Sequence, residues 1–122
     1  MSAATRILFV ADRPEVAQQP VLRLQLDGYD VTEAHSAEDG LAQLDTEEFD
    51  LLILDAELPG DGWLVLQEFQ KHEAFATTKI VVLMASKGET GKLVMVPVDA
   101  EVRRPFTMAE LMDAVKKALD DA

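Results

Sequence analysis

The chain has 122 residues, of which 48% are hydrophobic and 28% are charged, and its formal net charge is −12. That length suits one domain, covering residues 1–122, with one hydrophobic core. The acidic balance argues against binding to nucleic acids or to anionic membrane lipids, because phosphate groups need positive partners.

Short runs of consecutive apolar residues predict strands that are buried on both faces, as in a parallel sheet. These runs lie at residues 7–10, 51–54 and 80–84. The stretches 31–34 and 100–102 are more polar and are therefore predicted to be edge strands.

Helices are predicted between these strands. The first covers residues 14–27, and Pro20 inside it is expected to delay or kink the helix. The second starts at Ser36, where Asp39 three residues later makes a capping-box pattern, and runs to about residue 45.

The second half of the chain contains two further helical patterns and one irregular stretch. A helix is predicted over residues 61–73, and the last helix starts at Thr107 with Glu110 as its capping partner. The stretch 86–99 has poor helix propensity, so the fourth helix is predicted to be short or irregular.

Strands and helices that alternate five times predict an α/β domain with a doubly wound, flavodoxin-like parallel sheet of order 2-1-3-4-5. In such a sheet the ligand crevice lies at the carboxyl ends of strands one and three, where the winding reverses. The residues expected there are Asp12 and Asp55, with Met84 beside them at the end of strand four.

Asp55 is the most informative residue of the chain, because it closes an all-apolar strand. A carboxylate in that position loses solvation unless a cation pairs with it. Such a charge is more plausibly kept for chemistry than for packing.

Four segments together resemble the receiver domain of bacterial two-component response regulators. They are residues 7–14 with Asp12, residues 28–31, the strand ending at Asp55 with Pro59 and Gly60 after it, and Arg104-Pro105-Phe106. Each marker is weak alone, but in this order and spacing they cover essentially the whole chain and are fairly specific.

The resemblance implies that a histidine kinase, or another signalling protein, passes a phosphoryl group to Asp55 with Mg²⁺ present. Asp12, Asp55 and the backbone carbonyl of Glu57 match the metal ligands, and Arg104 stands where the family has a phosphoryl-binding lysine. The chemistry is consistent, because a carboxylate can form an acyl phosphate and the transferring group needs a cation clamp. Mg²⁺ in turn prefers oxygen ligands.

The chain departs from the family pattern at several positions. Ala11 replaces the first metal-binding acid, Met84 the hydroxyl residue of strand four, and Glu101 the aromatic switch residue of strand five. Arg104 keeps the lysine's charge but changes its geometry. We therefore interpret the chain as a divergent, pseudo-receiver-like signalling and protein-interaction module with weak or absent phosphorylation.

Other interpretations stay open. The chain can be a conventional magnesium-dependent phospho-acceptor, or Asp55 can be an inherited carboxylate that Arg104 neutralises. Asp12 can equally be a helix N-terminal acid stabilised by the dipole, and Glu57 an exposed loop residue.

Enzyme functions are less favoured. Residues 55–57 weakly resemble the acid-x-acid start of haloacid-dehalogenase-like phosphatases, but no later catalytic set follows. A flavodoxin-like flavin binder would need a phosphate-cradling loop after strand one, and residues 12–15 are acidic and lack glycine there. His35 and His72 are isolated in the sequence and receive no catalytic role. The chain has no cysteine, and no apolar run approaches the length of a membrane span, so a cytoplasmic protein is expected.

Overall fold

Strands and helices alternate along the residues that the computed structural model describes, which are 4–56, 62–84 and 98–120. The strands are β1 (Arg6–Val10), β2 (Asp30–Ala34), β3 (Leu51–Asp55), β4 (Lys79–Met84) and β5 (Ala100–Arg103). The helices are α1 (Pro14–Leu26), α2 (Ala37–Thr46), α3 (Gly62–Phe69) and the last helix, here α4 (Met108–Asp120), with a 3-10 turn at Glu73–Ala76.

The strands form one parallel sheet in the order β2-β1-β3-β4-β5, which confirms the predicted topology. Val10 of β1 pairs with Leu54 of β3, and Leu54 pairs with Val82 of β4. Because the strands run parallel and in step, their carboxyl ends reach the same edge of the sheet. The predicted edge strands, β2 and β5, are the outer ones.

Hydrophobic clusters cover both faces of the sheet. The cluster beneath α2 and α3 includes Leu54, Val82 and Met84. The cluster beneath α1 and α4 includes Ile53 and Leu83. Side chains along a strand alternate between the two faces, so β3 and β4 each supply residues to both clusters.

Helix α1 begins at Pro14, as predicted, and continues through Pro20, whose side chain is buried, to Leu26. The expected delay at Pro20 is therefore wrong. Pro14 at the first turn is favourable because its missing N–H would have no partner there anyway.

Helix α3 ends at Phe69 rather than at residue 73, and the 3-10 turn follows. The predicted irregular fourth helix over residues 86–99 falls almost entirely on positions 85–97, which lie outside the described residues. Within the described ranges no helix has the length and apolar character needed to cross a bilayer.

Both predicted helix caps are confirmed. Ser36 Oγ accepts a hydrogen bond from the Asp39 N–H at 3.0 Å. Thr107 Oγ1 accepts one from the Glu110 N–H at 3.1 Å, and Glu110 Oε1 accepts one from the Thr107 N–H at 3.1 Å. This reciprocal pair caps α4 at Thr107, which is three residues after Arg104, and so fixes the start of the helix at Met108.

Candidate functional site

Asp55 ends the central strand β3, and its side chain is completely buried. It pairs in the sheet with Leu83, and the N–H of the next residue, Ala56, donates to the Leu83 carbonyl at 2.9 Å. The carboxylate is thus held on rigid backbone at the switch point between β1 and β3, which is where sheets of this type bind ligands.

Arg104 brings a positive charge to Asp55. Its Nη2 lies 3.1 Å from Asp55 Oδ1, and its side chain is 22% exposed. The N–H of Arg104 donates to the Met84 carbonyl at 3.0 Å, which extends the pairing of β4 and β5 and holds the backbone in place. Because a guanidinium stays charged at any ordinary pH, the two groups form an ion pair that is sheltered from solvent.

Asp12 follows β1 at the same edge of the sheet. Its Oδ1 is buried and accepts no hydrogen bond from the part of the chain that the structure describes. A buried acceptor without a donor is unfavourable unless a cation or a water satisfies it. This orphaned oxygen is the strongest local indication of a cation site.

The donor set fits Mg²⁺ only in part. Asp12 and Asp55 offer carboxylate oxygens, which Mg²⁺ prefers, and the ion commonly completes its shell with water. Ala11 is 1% exposed and offers no charge, and the predicted third ligand, the carbonyl of Glu57, lies outside the described residues. Among the described residues no three or more metal-binding side chains gather. Asp12 and Asp55 would therefore hold the ion as two carboxylates beside a competing guanidinium.

The structure does not bring Met84 toward Asp55. Met84 packs in the cluster beneath α2 and α3, whereas Leu83, the partner of Asp55, packs beneath α1 and α4. Paired residues of parallel strands project to the same face, so Met84 and Asp55 lie on opposite faces. The assignment of the family's hydroxyl position to Met84 is therefore displaced by one residue. The next residue, Ala85, lies outside the described part and also has no hydroxyl group.

Glu101, which the family resemblance assigns to the aromatic switch position, is exposed on β5 and pairs with Val82. The structure thus places a solvated carboxylate where the resemblance implies an aromatic ring. A charged side chain would lose solvation in an apolar slot, which is a physical reason for its exposure.

His35, for which no catalytic role was expected, lies beside the site. Its Nδ1 lies 3.3 Å from the carbonyl oxygen of Ala11. The available signal was its position directly after strand two, because that strand neighbours strand one and both end at the same edge.

Comparisons with known proteins agree with this geometry. The model of the response regulator receiver domain family matches residues 7–116. The transcriptional activator protein IrlR of Burkholderia pseudomallei is 34% identical over 117 residues, which cover 93% of this chain and 50% of that protein. The chain therefore spans about half the length of this curated relative.

Solved structures show the same fold. A CheY-like response regulator receiver domain protein from Methanospirillum hungatei superposes with a TM-score of 0.88 at 26% identity, covering 98% of this chain and 96% of its own. The receiver domain of a sensor histidine kinase from Pseudomonas aeruginosa, solved with magnesium in its active-site cleft, gives a TM-score of 0.88 at 23% identity, covering 97% of this chain and 99% of its own. With its match to the family model over residues 7–116, the chain belongs to the response regulator receiver domain family.

Proposed function

We propose that this receiver domain is a signalling and protein-interaction module of a two-component phosphorelay whose Asp55 takes up a phosphoryl group weakly or not at all. The observation that carries the proposal is the buried ion pair of Asp55 and Arg104 at 3.1 Å. A carboxylate that already has a strong cationic partner gains less from a metal ion and is a less available nucleophile.

The charge of the site supports the same conclusion. Asp12 and Asp55 are opposed by Arg104, which leaves one net negative charge, whereas an acid in place of Ala11 would leave two. Phosphoryl transfer depends on a cation that neutralises the charge spread over the transferring group. A site that attracts Mg²⁺ less strongly is therefore expected to be phosphorylated more slowly.

The second candidate function is a conventional magnesium-dependent phospho-acceptor. The buried Asp12 Oδ1 without a hydrogen-bond donor among the described residues favours it, because a metal ion would satisfy that atom. A receiver domain of the same fold has been solved with magnesium in its cleft. The two candidates differ in the rate at which Asp55 takes a phosphoryl group.

Incubation with acetyl phosphate and excess Mg²⁺, followed by intact mass, separates these candidates. We expect a small or absent adduct on the native chain and none on Asp55→Asn. Asp113→Asn is the matched control, because it removes an exposed acid on α4 that is not among the residues of the site. Rapid, complete labelling of the native chain and of Asp113→Asn, with none on Asp55→Asn, would establish the conventional acceptor instead.

Partner contacts form the other half of the proposal. Leu22 and Leu26, one helical turn apart on α1, are 56% and 75% exposed. Both lie in the second half of the helix that begins two residues after Asp12. An exposed apolar pair on this helix suits contact with a histidine kinase or another signalling protein. Because the net charge is −12, nucleic acid and anionic lipid are not expected as partners of this domain.

Signal propagation from the site is also expected to be weak. Glu101 is exposed, and neither Met84 nor Ala85 can donate a hydrogen bond to a phosphoryl oxygen. A ligand shifts an equilibrium only through its differential interaction with the two states. Amide shifts caused by beryllofluoride should stay close to Asp12 and Asp55. Large shifts that reach Glu101 and α4 would contradict this part of the proposal.

A further inference from the structure

The peptide groups on both sides of Ala11 are fixed by the end of β2. The N–H of Ala11 donates to the carbonyl of Ala34 at 3.0 Å, and the Ala11 carbonyl oxygen lies 3.3 Å from His35 Nδ1. Ala34 and His35 are consecutive, so one short segment contacts both the N–H and the carbonyl oxygen of Ala11. Of these two contacts, the one from His35 is made by a side chain. It involves the peptide group that joins Ala11 to Asp12.

We propose that His35 is a positioning residue that fixes the direction of the Asp12 carboxylate toward the site. The Ala11 carbonyl belongs to the same planar peptide group as the Asp12 nitrogen. A donor that holds this carbonyl fixes the orientation of the peptide plane and therefore the direction in which the Asp12 side chain leaves the backbone. The inference rests on the proposed function, because it assumes that Asp12 serves a cation at this edge.

Positioning of the Asp12 carboxylate matters because this chain departs from the family pattern at the neighbouring residue. Ala11 supplies no carboxylate, so Asp12 is the one acid in the two residues that follow β1. The buried Asp12 Oδ1 accepts no hydrogen bond from the described residues that would orient it. With no second acid to share the ion, the placement of this one carboxylate governs how well the edge binds a cation.

His35 is suited to positioning rather than to metal binding. Its Nδ1 is directed at the Ala11 carbonyl, and that nitrogen carries a proton in one neutral tautomer and in the cation. His35 also lines an open groove of about 380 Å³ along α1, together with Gln18, Leu22 and Glu33. Because the residue borders a groove and not the core, its replacement should not disturb the packing.

The contact is long for an N–H···O hydrogen bond, so its expected effect on the Mg²⁺ affinity is small. A neutral hydrogen bond of ordinary strength corresponds to roughly a three- to tenfold change in an equilibrium constant, and the 3.3 Å distance points to the lower half of that range. We expect His35→Leu, which lacks a donor, to weaken Mg²⁺ binding about three- to fivefold.

His35→Asn provides the rescue, since an amide nitrogen can replace Nδ1 as the donor to the carbonyl. Its Mg²⁺ dissociation constant, measured from the amide shifts of Asp12 and Asp55, should stay within about twofold of the native value. Both variants should unfold at the same temperature as the native chain without metal. Equal affinity in all three proteins, or equal weakening in both variants together with a lower unfolding temperature, would overturn the positioning role.

The same pair of variants is made in the Ala11→Asp background, where a second acid strengthens the metal site. If that background binds Mg²⁺ tightly, and both His35 variants leave the affinity unchanged in that background and in the native one, the positioning role fails while the metal site stands. If neither background binds Mg²⁺ at any concentration reached, Asp12 serves no metal, and this inference falls together with the metal-dependent part of the proposed function.

Discussion

Charged residues are arranged differently at the two ends of the sheet: at the amino edge, where the strands begin, and at the carboxyl edge, where they end. At the amino edge, Arg6 Nη2 lies 2.6 Å from Glu47 Oε1, and Nη1 donates to the Glu48 carbonyl at 3.0 Å. The Arg6 N–H donates to Asp50 Oδ2 at 2.8 Å, and the guanidinium lies 4.8 Å from the centroid of the Phe49 ring. The hydrogen bond with Glu47 further raises the already high pKa of Arg6, so this guanidinium stays charged throughout the workable pH range.

At the carboxyl edge the charged side chains that face one another, Asp55 and Arg104, are more deeply buried. Asp55 is completely buried against Arg104, and Asp12 keeps a buried oxygen that no described residue satisfies. The amino edge is thus arranged as a structural clamp in which described partners surround the cation. The carboxyl edge leaves acceptor capacity for a ligand, as functional sites commonly do at some loss of stability.

Replacement of the arginine at each edge tests this contrast most strongly. Arg104→Met should lower the free energy of unfolding by about 2–3 kcal/mol, because it removes the cation that faces the buried Asp55. This loss is smaller than that expected for a fully buried ion pair, since Arg104 is partly exposed. Urea denaturation at neutral pH measures the difference.

Arg6→Met is the matched control at the amino edge. The loss of unfolding free energy in Arg6→Met should be smaller, because the acidic partners of Arg6, Glu47 and Asp30, are 43% and 58% exposed. The Arg6 effect should also shrink at high salt, whereas the Arg104 effect should persist. A larger loss for Arg6→Met, or equal salt sensitivity at both edges, would contradict the division between clamp and site.

Ala11→Asp should convert the carboxyl edge toward a full metal site. A second acid beside Asp12 should tighten Mg²⁺ binding about tenfold, equivalent to about 1.4 kcal/mol, through added opposite charge and an added oxygen ligand. Amide shifts near Asp55 during a magnesium titration give the dissociation constant. Ala42→Asp adds the same charge on the exposed surface of α2 and should leave the affinity nearly unchanged. Equal gains in both variants would assign the effect to overall charge.

Thr107→Ala tests whether the last helix is secured independently of the site. Loss of the reciprocal cap with Glu110 should lower the free energy of unfolding by about 1 kcal/mol. Ser36→Ala, which removes the cap of α2, should cost a similar amount. Chemical denaturation measures both, and a Mg²⁺ affinity altered by Thr107→Ala alone would show that α4 and the site are coupled through Arg104.

The order of the strands and the position of the candidate site at the carboxyl edge could both be predicted from the sequence. Short continuous apolar runs are typical of strands that are covered on both faces, so β1, β3 and β4 could be located from the sequence. Asp55 could be singled out because a carboxylate at the end of such a strand needs a partner, and Arg104 is that partner.

Other features depended on information that a local pattern does not contain. Helix α1 continues through Pro20 because tertiary packing buries that ring, which outweighs local propensity. The strand register, with Asp55 paired to Leu83, decides which face Met84 occupies, and a one-residue shift reverses it. His35 contacts a carbonyl on another strand, a long-range hydrogen bond that chain spacing cannot predict.

The smallest expected effect concerns the exposed leucines of α1. Leu26→Gln should change the free energy of unfolding by no more than about 0.5 kcal/mol, because Leu26 is 75% exposed and makes no core contact to lose. It should also leave the Mg²⁺ dissociation constant unchanged, since it stands at the far end of α1 from Asp12. Thermal unfolding and the magnesium titration check the two statements. A loss of stability well above that limit would mean that Leu26 supports the fold. If both measurements stay at native values, any loss of partner binding in this variant can be assigned to the α1 surface and not to either edge of the sheet.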